Sequence, residues 1–313
     1  MSLSLGIDVG GTKVAAGVVD PGGRVVEKLR RSTPATAGGA IAVIGEVIEE
    51  LRSRHQVTAV GLGVAGFVDE TRCEVRFAPH LPWREEPVQQ KVEGMAGVPV
   101  VLENDANASV WGEVRFGAAR GEQEVVFVGV GTGIGTGLVL GGRLYRGRWG
   151  MAGEAGHYQV VAGGRPCDCG KQGCWEQYAS GTALAAEARA AVRQAPAKAA
   201  RLLELAGGSA AEISGMHVTQ AAREGDAAAV RCFEAVGTWL GHGLAALAAI
   251  LDPACFVVGG GVSEAGDLLL GPARHAYQQR LTGAGHRHEA RIMLAELGTD
   301  AGLVGASDLA RSQ

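Results

Sequence analysis

The sequence predicts an α/β fold of two lobes with a cleft between them, and three observations carry that expectation. The chain of 313 residues is long enough for two cores of roughly 150 residues each. Short β-type runs alternate with helical stretches instead of segregating from them. The opening plan, a strand meander punctuated by glycine turns, begins a second time from Glu124, which points to a duplication.

In chain order, residues 4–9, 13–19 and 24–30 read as three strands, separated by Gly10-Gly11 and by Asp20-Pro21-Gly22-Gly23. A helix over 39–54, a strand over 57–64, a helix over 88–95 and a strand over 98–103 follow. An amphipathic helix is expected over 106–115. The second meander comprises 125–130, 135–140 and 143–146. A Cys/Gly-rich insertion then spans 150–176, and long Ala-rich helices run to residue 251. A buried-type strand at 255–258, a helix over 264–280, a strand over 291–297 and a helix over 301–310 close the chain. The expected domains are a smaller lobe, 1–116, with residues 300–313 packing back onto it, and a larger one, 117–299, that carries the insertion.

Composition narrows the functional classes. A net charge of -4 and scattered Lys and Arg supply no basic field for a nucleic-acid backbone. No apolar stretch of about 18 residues stands out, and no basic region with a cleavage site precedes the first strand, so no membrane partner and a cytoplasmic location are expected. Three of the six cysteines, Cys167, Cys169 and Cys174, crowd together, which points to metal rather than a disulfide scaffold. Cys73, Cys232 and Cys255 read as buried thiols without a function.

Two glycine-rich turns have the make-up of phosphate loops. Asp8-Val9-Gly10-Gly11-Thr12-Lys13 places a carboxylate at a strand end, two glycines in the turn, and a hydroxyl and an ammonium after it. Glycine permits φ > 0 and close backbone approach, Thr12 and Lys13 add donors, and Asp8 can hold a Mg²⁺ shell. An ordinary β-hairpin would use similar residues. From Gly129 to Gly137 glycine occupies every other position, where a strand would prefer β-branched residues. Backbone passing close to a ligand, at Gly131, Thr132 and Gly133, explains this better than packing does. Gly259-Gly260-Gly261, after a strand, could seat an adenosine. Gly61-Leu62-Gly63-Val64-Ala65-Gly66 satisfies G-x-G-x-x-G but leads into no helix, which argues against a dinucleotide.

Glu103-Asn104-Asp105 ends a strand and opens a helix. Phosphoryl transfer needs a positioned carboxylate to accept the hydroxyl proton, and Asp105 is the candidate; helix capping is the plain alternative. His157, Cys167, Cys169 and Cys174 offer one imidazole and three thiolates, a closed set suited to structural Zn²⁺. With every position filled by protein, such a metal places neighbouring groups and leaves no site for substrate.

These motifs, together with Glu154-Ala155-Gly156-His157 and Cys167-x-Cys169-Gly170-x-x-Gly173-Cys174-x-Glu176, occur in the order found in the ROK family (repressors, uncharacterised frames, sugar kinases). Trp83-Arg84-x-Glu86-Pro87 and the segment from Gly173 to Gly181 resemble its actinobacterial ATP-dependent glucokinases most. The resemblance covers nearly the whole chain. It implies a two-lobed, actin-like (ribonuclease H-like, duplicated) sugar kinase fold, Mg²⁺ with ATP, and a hexose substrate, glucose first. It also implies Asp105 as base, with Gly66, His80, Asn104, Glu154, His157 and Glu176 as sugar contacts. The ATP contacts it implies are Asp8, Gly10, Gly11, Thr12, Lys13, Gly131, Thr132, Gly133, Gly259, Gly260 and Gly261. The family's usual assembly implies a homodimer or homotetramer. His80 stands where many relatives carry Asn, so another hexose is the alternative substrate. A sugar-sensing regulator is disfavoured, because Asp8 comes too early for a helix-turn-helix to precede it.

Overall fold

A computed structural model describes residues 2–312. The chain forms two compact units. The first takes residues up to Phe127, Thr136–Gly153 and everything from Ala295 on; the second takes Val128–Gly135 and Glu154–Leu294.

The meander opens the chain as β1 (Leu3–Val9), β2 (Lys13–Val19) and β3 (Val25–Ser32), followed by α1 (Ala37–Arg52) and β4 (Val57–Val64). A small sheet of β5 (Phe67–Val68), β6 (Val75–Phe77) and β7 (Arg84–Glu86) comes next, then α2 (Val88–Ala96), β8 (Val100–Asn104) and α3 (Asp105–Phe116). The second meander is β9 (Val125–Val130), β10 (Ile134–Leu140) and β11 (Arg143–Leu144). The expected Ala-rich run is broken into α4 (Glu176–Ala179), α5 (Gly181–Gln194), α6 (Ala200–Leu205), α7 (Gly215–Arg223) and α8 (Ala227–Leu251). Then come β12 (Cys255–Gly259), α9 (Asp267–Arg280), β13 (Arg291–Leu294) and α10 (Ala301–Arg311).

The five-stranded sheets share one plan, β3-β2-β1-β4-β8 and β11-β10-β9-β12-β13. In the first, β1, β2 and β3 pair antiparallel and β4 and β8 add in parallel; in the second, β10–β11 is antiparallel and β12–β13 parallel. The duplication expected from the sequence is therefore real.

Register in the first sheet positions the chemistry. Asp8 pairs with Gly63, and Gly63 pairs with Glu103, so Asp8 and the Glu103-Asn104-Asp105 turn reach the same carboxyl end of neighbouring parallel strands. Strand spacing puts the two outer backbones ~10 Å apart. Crevices at that end of a parallel sheet are where α/β proteins bind ligands.

The core of this unit is aliphatic, with Leu5, Ile7, Ile44, Leu62 and Leu102 fully enclosed around Trp83. Helix α10 lies against α3, β1 and β4 at very close range. A Cβ at Gly6 would collide with the Leu303 carbonyl, one at Gly61 with that of Ala306, and one at Gly305 with that of Ala108. Gly61 thus owes its identity to helix packing, which removes the apparent dinucleotide motif. The buried Glu113 carboxylate on α3 accepts from the amides of Glu296 at 3.1 Å and Leu297 at 2.9 Å. Those bonds take the backbone out of the ladder, so β13 stops at Leu294 and not at 297.

In the second unit α8 is long and apolar enough, by composition, to cross a membrane, which corrects the expectation that no such stretch exists. Its apolar residues serve the core. Gly237 and Gly241 admit the backbone of α9, and Gly243 lies under the Trp175 ring. Cys73 is also corrected: it is exposed, because the turn from Asp69 to Glu74 faces it outward.

Candidate active site

In the first unit the Asp8 turn is a tight hairpin, closed by Gly10 N–H to the Lys13 carbonyl at 3.0 Å and braced by the Thr33 hydroxyl on the Gly10 carbonyl at 2.7 Å. Neither Gly10 nor Gly11 has a positive φ, so backbone conformation is not what requires them. Gly11 is required by space: a Cβ there would sit 2.6 Å from the Cβ of His80. The turn and the loop that carries His80 are pressed together. Burial pushes the Asp8 carboxyl up to about 6, with the Lys13 ammonium opposing the shift.

Asn104, and not Asp105, caps α3. Its Oδ1 accepts from Ala106 N at 2.9 Å and Asn107 N at 3.0 Å, and its Nδ2 donates to the Gly66 carbonyl at 3.2 Å. The capping alternative for Asp105 therefore falls to its neighbour, and Asp105 occupies the first helical position, where its Oδ1 accepts from Ala106 N at 2.9 Å. Gly63 lies beside it, at a distance where a Cβ would make an ordinary contact of 3.6 Å with the Asp105 Cα. Gly66 is needed because Ala78 and the Phe77 carbonyl fill the place of its side chain.

The second unit contains a cavity of about 980 Å³, lined by Gly131 and Thr132, by the starts of α5 and α7, and by Gly261, Val262 and Glu264. Both helices are capped by serine, Ser180 on Ala183 N at 3.2 Å and Ser214 on His217 N at 3.5 Å. Two helix N-termini at one cavity favour an anion. The Thr182 hydroxyl holds the Thr132 carbonyl at 2.8 Å and Gly181 N holds that of Gly131 at 2.8 Å, fixing the loop to α5. Gly131 and Gly261 have open space where a Cβ would be. Gly259 ends β12, and Gly260, with φ of 84°, packs on the Val130 backbone behind the cavity. A Cβ at Gly133 would displace only the flexible end of the Glu176 side chain, whereas one at Gly137, in the first unit, would collide with the Ala106 carbonyl. Packing thus accounts for part of the glycine alternation that the sequence suggested was all for a ligand.

The ligand atoms of His157, Cys167, Cys169 and Cys174 all lie within 4.8 Å of one another. A tetrahedral zinc site with bonds of about 2.3 Å to sulfur separates its sulfurs by about 3.7 Å. The Sγ atoms of Cys169 and Cys174 are 3.6 Å apart, and Cys167 Sγ is 3.7 Å from His157 Nδ1, so the donor set fits that ion. The nitrogen facing the thiols is Nδ1, which leaves Nε2 for another partner. Glu176 Oε1 is 3.1 Å from Cys167 Sγ and 3.4 Å from His157 Nδ1. Glu154 begins the 3-10 turn that carries His157, and burial pushes its carboxyl up, with His157 opposing and Glu176 adding to the shift.

Sequence reasoning missed Thr182, Ser214, Thr219 and Glu264 in the cavity. It also missed Arg72 and Arg146, both of which pair with Glu103. The Ser-Gly starts of α5 and α7 could have flagged the first two, but nothing local marks the arginines.

Residues 4–313 match the ROK family. The chain is 46% identical to the glucokinase of Streptomyces coelicolor over 311 residues, 99% of this chain and 98% of that protein. Its structure is similar to that of a ROK family glucokinase from Streptomyces griseus in complex with glucose and AMPPNP, with a TM-score of 0.94 and 49% identity over 100% of both chains. A ROK hexokinase from Thermus thermophilus is similar with a TM-score of 0.80 and 35% identity, over 99% of this chain and 98% of that one.

Proposed function

Since this chain belongs to the ROK family, we infer that it is an ATP-dependent glucokinase, moving the terminal phosphate of Mg·ATP onto the 6-hydroxyl of glucose. The observation that carries the chemistry is the placement of Asp105: the first residue of a capped helix, at the same strand ends as Asp8. A carboxylate held there can take the proton of the attacking hydroxyl.

The other roles follow from the groups present. In the first unit Asn104, beside the loop that Gly66 and His80 shape, and in the second Glu154, Glu176 and the Nε2 of His157 are assigned to the sugar hydroxyls. Thr12, Lys13 and the amides of Gly10 and Gly11 receive phosphate oxygens. In the second unit Gly131, Thr132 and Gly261 line the nucleoside cavity, and Gly133, Gly259 and Gly260 give it shape. Zinc, when bound, supplies charge and placement to the His157 and Glu176 neighbourhood and offers no open position for substrate. ATP and hexose are cytoplasmic substrates, which is where this enzyme works, as a homodimer or homotetramer.

His80 favours a second reading, a kinase of another hexose. Coupled ADP release with Mg·ATP against glucose, N-acetylglucosamine, N-acetylmannosamine, mannose and fructose tests both. Glucose should give the highest kcat/KM; a higher value for another sugar overturns the substrate assignment and leaves the chemistry.

Asp8 must be ionised to serve the Mg²⁺ shell, and its pKa lies near 6. The kcat/KM for Mg·ATP should therefore fall about tenfold per unit as pH drops below about 6. Stability runs the other way. The folded state binds this proton more tightly than the unfolded chain does, so the contribution of Asp8 to stability decreases as pH rises from about 4 through 6. Asp8→Asn should abolish turnover and raise the melting temperature at pH 7.5; an unchanged acid limb in the wild-type profile, or a lower melting temperature in the variant, contradicts this.

A further inference from the structure

We propose that Glu103, clamped by Arg72 and Arg146, is the positioning residue that sets the catalytic turn around Asp105, an inference that rests on the kinase reading above. Glu103 is fully buried, and a buried carboxylate is kept only where its charge and lone pairs are answered. Here they are. Its Oε2 accepts from Arg72 Nε at 3.0 Å and lies 3.0 Å from Arg72 Nη2 and 2.8 Å from Arg146 Nε, which donates to Oε1 at 3.2 Å.

Oε1, shared with Arg146, also faces the active turn. Oε1 accepts from the backbone N–H of Asn104 at 2.9 Å and from Asn107 Nδ2 at 3.0 Å. One carboxylate oxygen therefore holds the residue before Asp105 and the residue two positions after it. Asn104 in turn caps α3 and donates to the Gly66 carbonyl, so displacing Glu103 would shift the cap and the first helical turn together. Asn107 is itself buried, and its amide orientation follows from having this acceptor.

Two separate loops are built to deliver the arginines. Asp69 gathers its own turn by accepting from the amides of Cys73 and Glu74, each at 2.8 Å, and from the Thr71 hydroxyl. Within that turn Arg72 sits at φ of 61°, a conformation that a non-glycine residue holds only when its surroundings impose it. Arg146 reaches Glu103 with Nε while its Nη2 donates to the Asp69 carbonyl at 2.8 Å and its Nη1 to that of Glu70 at 3.1 Å. Gly150 is required in the same segment, because a Cβ there would collide with the Val68 carbonyl. A strained arginine and a forked arginine converge on one carboxylate that touches no substrate in the proposed reaction, and a close-packed glycine seats the segment of the second against the turn of the first. Folding alone gives no reason for this convergence beside the catalytic base, whereas a demand for sub-ångström placement of Asp105 does.

The test is steady-state kinetics on the wild type, Glu103→Gln and Arg146→Met, scaled to the folded fraction from melting curves. Both variants should lose kcat, roughly 10- to 100-fold for Glu103→Gln, while KM for Mg·ATP stays within about threefold. Arg146→Lys, which keeps the charge without the fork, should recover only part of the loss in Arg146→Met. Should Glu103→Gln fail to fold, the Arg146 pair carries the test alone. Folded variants with wild-type kcat, or with changes confined to KM, overturn the inference and leave the kinase reading intact. A wild type without turnover on any hexose overturns that reading, and the inference with it.

Discussion

Replacing Asp105 by Ala is expected to lower kcat by a factor of about 10² or more while glucose binding stays measurable. The fold supports that separation. The cap of α3 belongs to Asn104, and the helix is pinned by the Glu113 bonds to residues 296–297 and by its close packing on α10. Losing one carboxylate from the first turn removes its bond to Ala106 N and leaves the Asn104 cap in place. Kinetics should be measured beside glucose titration by intrinsic fluorescence and a melting curve. Retained turnover in a folded variant removes Asp105 from the mechanism.

Cys169→Ser should lose bound zinc and most of the activity. The thiol is exposed, so the substitution opens no core cavity, and its effect reports the ligand set. Cys167 and Cys174 are buried and would be left with their sulfurs facing a vacant centre beside His157 and Glu176. Both of those residues are assigned to the sugar, so KM for glucose should rise as kcat falls. Metal analysis of the purified protein, wild type against variant, with kinetics on the same samples, provides the check. A metal-free variant with unchanged kinetics contradicts the placement role.

Much of this architecture was legible because it is written locally. The first three strands are short β-type runs cut by glycine turns, and the second meander repeats them, so a duplicated plan could be expected from the pattern, which the two sheets bear out. The ligand cluster was equally legible, since four ligands within a short glycine-rich span need no long-range knowledge. The three-stranded sheet of β5, β6 and β7 was not, because strands of two or three residues carry no usable period. Glycine was the most ambiguous signal. Gly61 completes a G-x-G-x-x-G pattern, yet its reason is the Ala306 carbonyl, and Gly137 belongs to the glycine alternation, yet its reason is the Ala106 carbonyl. In both cases the decisive neighbour is distant in sequence. The same holds for Glu103, whose partners Arg72 and Arg146 sit in turns that look like ordinary surface.

Asp105-dependent transfer from Mg·ATP to the 6-hydroxyl of glucose is read without intermediary from the product formed. Wild type and Asp105→Ala should be incubated with Mg·ATP and glucose and followed with a dehydrogenase specific for glucose 6-phosphate, the product confirmed by phosphorus NMR. The wild type should give stoichiometric glucose 6-phosphate and ADP, and the variant should form them at least about 10²-fold more slowly. Phosphate on another hydroxyl, or no sugar phosphate from the wild type, would contradict it.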